Sequence, residues 1–196
     1  MPKLYYQGHG SYRITSNRGM VIYVDPFVGD GYDKPADLIL VTHQHSDHNR
    51  VELVRRGPGC QIITEREALA GGVYHTFTVG AAQVEAVRAE NVNHDPRTCV
   101  GYLLTLDGIS VYAAGDTSTT DQMRSLAQRR LDYALLPIDG VYNMGPGEAS
   151  ACARLIGARH SIPVHMKPGA LFDRACAERF SAPGRIILEP GEEIEL

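Results

Sequence analysis

Short apolar and β-branched runs separated by turns dominate the first half of the chain. Residues 4–6, 11–15 and 20–24 read as strands, the last two joined by the turn Ser16-Asn17-Arg18-Gly19. Residues 38–42 form a continuous apolar run, which predicts a strand covered on both faces. A strand over 61–64, a short helix over 65–70 and strands over 73–79 and 83–88 follow. Beyond a polar loop at 90–98, strands over 101–106 and 110–114 make a hairpin about Asp107-Gly108, a strong short-range turn signal.

The second half changes rhythm. A helix over 119–128, with Thr117, Ser118 and Thr119 as capping candidates, precedes a strand over 133–137. A helix over 147–156, a strand over 161–165, a helix over 170–180 and a strand over 185–188 complete the alternation, and residues 192–196 can add an edge. Pro146 suits the first turn of its helix. Two mixed sheets packed face to face, with helices outside, fit this order in an α/β fold. A simple doubly wound sheet fits less well, because the antiparallel hairpins are too many. No linker, repeat or low-complexity segment divides residues 1–196, so a single domain is expected.

Composition narrows the class of partner. Apolar residues at 43% and charged residues at 21% are ordinary for a soluble globular chain. A net charge of −4, with basic residues clustered only as pairs such as Arg55-Arg56 and Arg129-Arg130, argues against a nucleic-acid partner. No apolar run is long enough to span a bilayer, and MPKLYYQGHGS lacks the apolar core of a secretory signal, so no membrane association is expected. Cys60, Cys99, Cys152 and Cys176 are scattered without a C-x-x-C pair, which reads as reduced thiols in a cytoplasmic protein.

The strand over 38–42 runs straight into His43, His45, Asp47 and His48. Imidazoles with a carboxylate are donors for Zn, Mn, Fe or Ni rather than for Ca or Mg. Asp116 follows a strand through Gly115, His165 ends another apolar run, and His94 lies in the loop NVNHDP. Polar groups at the tips of several strands converge on one rim, and these seven donors suffice for two metals sharing a bridging carboxylate.

The pattern His43-x-His45-x-Asp47-His48, with His94, Gly115-Asp116-Thr117 and His165, resembles the metallo-β-lactamase superfamily over nearly the whole chain. GHGSYRI, the VDP of 24–26, LLPIDGVYNM and IPVHMKPG resemble its small cytoplasmic branch, which includes ascorbate-6-phosphate lactonase-like proteins. The resemblance implies a four-layer αβ/βα sandwich with its site at one edge. It implies that His43, His45, His94 and Asp116 hold one divalent cation, and Asp47, His48, Asp116 and His165 a second, zinc being favoured with Mn, Fe or Ni as alternatives.

Such a pair makes a hydroxide at neutral pH that attacks a small ester-like substrate, whether a lactone, thioester or phosphodiester. Asp47 is then the catalytic candidate, orienting or deprotonating the water. Asp25 is placed to receive a ligand histidine or loop amides. His9 resembles a position that approaches the metals in this branch. Tyr142, Lys167, Asn91 and Asn93 are candidates for substrate contact. The competing reading from another class is a metal-binding or sensor protein without hydrolytic activity on the same fold. The partner is a small molecule, and the oligomeric state stays open, a homo-oligomer included.

Overall fold

The computed structural model describes residues 1–196. Five strands open the first sheet: β1 (Lys3–Gly8), β2 (Ser11–Thr15), β3 (Val21–Val24), β4 (Ala36–Leu40) and β5 (Arg56–Ile63). After the short helix α1 (Glu65–Ala68), the second sheet begins with β6 (Thr76–Val79), β7 (Ala82–Arg88), β8 (Val100–Leu106) and β9 (Ile109–Ala113). Helix α2 (Met123–Leu126), β10 (Tyr133–Pro137), α3 (Pro146–Ile156), β11 (His160–Val164) and α4 (Arg174–Arg179) follow, and β12 (Glu193–Glu195) returns to pair with β1.

The strand orders are β12-β1-β2-β3-β4-β5 and β11-β10-β9-β8-β7-β6. In each sheet an antiparallel run gives way to two parallel pairings: β3 with β4 and β4 with β5, and β9 with β10 and β10 with β11. This is the α/β sandwich of two mixed sheets that the patterning predicts. The inward positions interleave in one core, with Tyr6, Tyr12, Ile14, Ile22, Leu38 and Leu40 facing Val84, Val100, Tyr102, Leu104 and Ile162. A second core lies between the second sheet and α2–α4, and includes Tyr112, Leu136, Cys152, Ile156 and Phe180. The outer face of the first sheet is covered more thinly, by Val54, Tyr32 and Val51 packed on Val21, Tyr23, Ile39 and Val41.

The helices depart from the patterning, for local reasons. The predicted helix over 119–128 shrinks to α2 and one 3-10 turn. The hydroxyls expected to cap it are committed elsewhere: Thr117 Oγ1 donates to the Glu90 carbonyl and Thr119 Oγ1 to Glu148. The helix predicted from residue 170 starts only at Arg174, capped by Asp173, because the carbonyls of Ala170 and Leu171 bind His9. Residues 185–188 form no strand, only an isolated bridge from Arg185 to Ser161, and β6 begins at Thr76 rather than 73.

Candidate metal centre

The parallel strands deliver their ends to one edge, the usual place for a site in open α/β sheets. Asp25 follows β3, His43 lies just beyond β4, Asp116 beyond β9, Asp139 beyond β10 and His165 directly after β11. Leu38, Ile39, Leu40 and Val41 are fully buried and fix the base of the His43 loop. The loop then turns back, the His48 amide donating to the His45 carbonyl at 3.0 Å. Gly115 is required where it stands: its φ is +65°, and a Cβ there would lie 2.9 Å from both Thr42 Cβ and the Val100 carbonyl. Asp25, His9 and His165 are among only five non-glycine residues with left-handed φ, so backbone strain is concentrated at this edge.

All seven donors predicted from the sequence meet here. The ligand atoms of His43, His45 and His94 lie within 4.8 Å of one another, as do those of Asp47, His48, His165 and His9. Asp116 stands between the groups. Its Oδ2 is 3.3 Å from His94 Nε2, 3.5 Å from His165 Nε2 and 3.9 Å from His43 Nε2, and its Oδ1 is 3.4 Å from His48 Nε2.

The far side of each buried imidazole is occupied. His43 Nδ1 lies 3.0 Å from Thr42 Oγ1, whose own hydrogen goes to Asp25 Oδ2, so the imidazole is the donor. His48 Nδ1 donates to Asp25 Oδ2 at 2.9 Å, and Asp25 Oδ1 accepts from the Thr42 amide. His94 Nδ1 donates to Asn91 Oδ1 at 2.9 Å. His165 Nδ1 lies 2.9 Å from Asp139 Oδ2, close enough for an ion pair though off the line of a good hydrogen bond. With Nδ1 engaged on its far side, each imidazole turns Nε2 toward Asp116, and each Nε2 offers a lone pair whenever its ring is neutral. The Nε2 atoms of His43, His48, His94 and His165, and Asp116 Oδ1, are buried without any hydrogen-bond partner. Four imidazole nitrogens and a carboxylate oxygen buried together without hydrogen-bond partners are atoms that cations among them would satisfy, so these residues fit a metal centre.

Charge follows the same division. Burial, and then the neighbouring His48, push His43 down to about 2. Burial also works against a charge on His165, but Asp116, Asp139 and Asp47 outweigh it and push the imidazole up to about 10. Burial opposes charging His48 as well, and Asp116 and Asp25 overcome it, so its shift is upward. Burial favours the neutral acid at Asp139, yet the close His165 imidazole and hydrogen bonds from the amides of Tyr142 and Val141 hold it at about 2. Asp47 is likewise held far below the carboxylate range, against its burial, by His165, His9 and His48.

His9 is fully buried. Its Nδ1 donates to the Ala170 carbonyl at 3.1 Å, and its Nε2 lies 3.1 Å from Asp47 Oδ2. A carbonyl only accepts, so Nδ1 carries its hydrogen toward Ala170 and Nε2 faces the Asp47 carboxylate. His9 also packs on His165, ring centroids 3.8 Å apart, and its carbonyl accepts the His165 amide.

A cavity of about 550 Å³ opens beside the cluster, lined by His45, Asp47, His94 and Asp116 and by Phe27, Asn93 and Tyr142. Tyr142 is half exposed there, whereas Lys167 is exposed and does not line the cavity. Asn91 and Asn93 serve the walls: Asn91 orients His94, and Asn93 Nδ2 donates to the Tyr142 carbonyl. Asp139, Asn143 and Thr42 escape the reading of the sequence. Asp139 carries a usable signal, since PIDG puts it just past a strand end, as AAGD does for Asp116.

Residues 3–165 match the Beta-lactamase superfamily domain. A metal-dependent hydrolase of Methanospirillum hungatei is 31% identical over 222 aligned positions, covering 99% of each chain. A metal-dependent hydrolase of Thermococcus kodakarensis is 32% identical over 231, covering all of both. The fold is shared with a metallo hydrolase of the archaeon Ignicoccus hospitalis, with a TM-score of 0.75, 24% identity and coverage of 98% and 97%.

Proposed function

Because the chain belongs to the β-lactamase superfamily and is a metal-dependent hydrolase, we propose that it opens a small ester-like bond, in a lactone, thioester or phosphodiester, by water attack at a two-metal centre. The observation that carries this reading is the set of buried, unpartnered Nε2 atoms of His43, His48, His94 and His165 around the unpartnered Oδ1 of Asp116. His43, His45, His94 and Asp116 would hold one cation, and Asp47, His48, Asp116 and His165 the other. The donor set suits zinc, and Mn, Fe or Ni share its preference for imidazole and carboxylate. Two such cations, when bound, supply Lewis acidity toward the scissile carbonyl or phosphoryl oxygen and acidify a water.

The chain's own residues supply the rest. Asp47 lines the cavity and takes the proton of the attacking water, then returns it to the leaving oxygen or sulfur. His9 steadies that carboxylate through Oδ2, and its tilted packing against His165 couples both groups to the buried base of the site. Phe27 and Tyr142 offer apolar surface for the substrate's body. The test is elemental analysis of the purified chain beside a chelator-sensitive screen of lactone, thioester and phosphodiester substrates. Two metals per chain with turnover abolished by chelator is the expected result. A fully loaded chain inert toward all three classes would favour a binding or sensor role.

A further inference from the structure

The two ligand groups are joined by a continuous path that avoids the metals. From His94, Nδ1 donates to Asn91 Oδ1 at 2.9 Å, and Asn91 Nδ2 donates to Asn143 Oδ1 at 3.1 Å. Asn143 Nδ2 then donates to Asp139 Oδ2 at 2.8 Å, the same oxygen that lies 2.9 Å from His165 Nδ1. Asp139 Oδ1 meanwhile accepts the amides of Val141 and Tyr142 at 2.6 and 2.7 Å, which shapes the loop that carries Tyr142.

The polarity of this path has one solution. Asp139 is a carboxylate with no hydrogen to give, so Asn143 must turn its NH2 toward it and its carbonyl toward Asn91. Asn91 must then give its NH2 to Asn143 and keep its carbonyl for His94. That leaves the His94 hydrogen on Nδ1 and its lone pair on Nε2, the atom buried without a partner beside Asp116. At the other end, the same carboxylate draws the His165 hydrogen to Nδ1. One anion therefore stands behind an imidazole in each group, with Asn143 the only link between them on this route. The Asn93 amide, donating to Asn91 Oδ1 at 2.8 Å, holds Asn91 in the same sense.

We infer that Asn143 is a positioning residue that carries the orientation imposed by Asp139 across to His94, so that the two metal sites are set jointly by one loop. The inference rests on the two-metal reading above. Neutral amides in series suit this role: each has one donor end and one acceptor end, so direction passes along without moving charge. Partners that fix a ligand histidine in this way typically alter metal affinity about 10–100-fold when removed.

Zinc titration of the full chain against a chromophoric chelator, with cobalt absorption as a second readout, tests this. Asn143→Ala should weaken the His94-side cation by about 10–100-fold and leave the His165-side cation essentially unchanged. Asn91→Ala should do the same, and Asn91→Ala with Asn143→Ala should cost no more than the worse single change, because both break one path. Asp139→Asn should weaken both cations. Thermal melting of the metal-free variants reads loop packing separately. Additive losses from the two asparagines, or a lowered melting point with both affinities intact, would overturn the relay. A wild-type chain that binds no divalent cation would overturn the two-metal reading itself, and the relay with it.

Discussion

On one side of Asp116, His48 and His165 are backed by the carboxylates of Asp25 and Asp139. On the other, His43 and His94 are backed by a hydroxyl and an amide, and His45 projects from an exposed turn. Both arrangements fix the tautomer that leaves Nε2 free. They differ in charge. A carboxylate behind an imidazole raises its basicity, so the buried side keeps protons until a cation displaces them. A neutral backing orients the ring without adding to its pull on a proton or a metal. On the two-metal proposal, the side backed by carboxylates should be the tighter and more acid-sensitive half, and the side carrying His45 the half that exchanges.

Removing what the two sides share should erase the distinction altogether. Asp116→Ala takes away the only carboxylate within reach of both groups and should abolish two-metal loading, read as metal content after dialysis. Asp47→Asn should then show which side does the chemistry. We expect kcat to fall roughly 10²–10⁴-fold, far more than metal content, the signature of a lost proton acceptor. Turnover at the wild-type rate would show that Asp47 is not the base.

Asp25→Asn probes the backing itself. It should weaken the cation on the His48 side by about 10–100-fold, measured by chelator competition, with a smaller effect reaching His43 through Thr42. An equal loss on both sides would collapse the contrast. The smallest effect is in protons. The metal-free His165 is pushed up to about 10, so it is protonated at pH 7 and must become neutral to bind metal, and the upward shift of His48 acts in the same direction. His43, pushed down to about 2, is neutral already. Loading the buried side should release protons, measurable with an indicator in weak buffer, and its affinity should rise with pH. The other side should be flatter in pH.

Much of the fold was legible because the strands here are short apolar runs with clear turns, and their tips carry the site. The helices were less so. Thr117, Thr119, Ala170 and Leu171 look like ordinary helix-start residues, but tertiary partners claim their hydroxyls and carbonyls. Within the site, metal donors declare themselves by type and by clustering. Their supports do not: Thr42 resembles the end of a strand, and Asn143 acts on Asn91 from 52 residues away. No local pattern records that encounter. Asn91 illustrates the cost, since its position near the cavity suggested a substrate contact whereas its amide is taken up by His94, the Asn93 backbone amide and Asn143.

The turn from His43 to His48 has a consequence for how the protein acquires its metals. Four of the seven donors lie within six consecutive residues, whereas His94, Asp116 and His165 arrive from the other sheet. The local four exist as neighbours in the unfolded chain, which can capture a cation before either sheet has formed. Such capture is loose, because Asp25 and Thr42 are not yet in place to aim the rings. Binding to the unfolded chain also subtracts from the stability that metal confers on the native one. A cation bound first by the local four would gain its remaining donors only once the second sheet has formed.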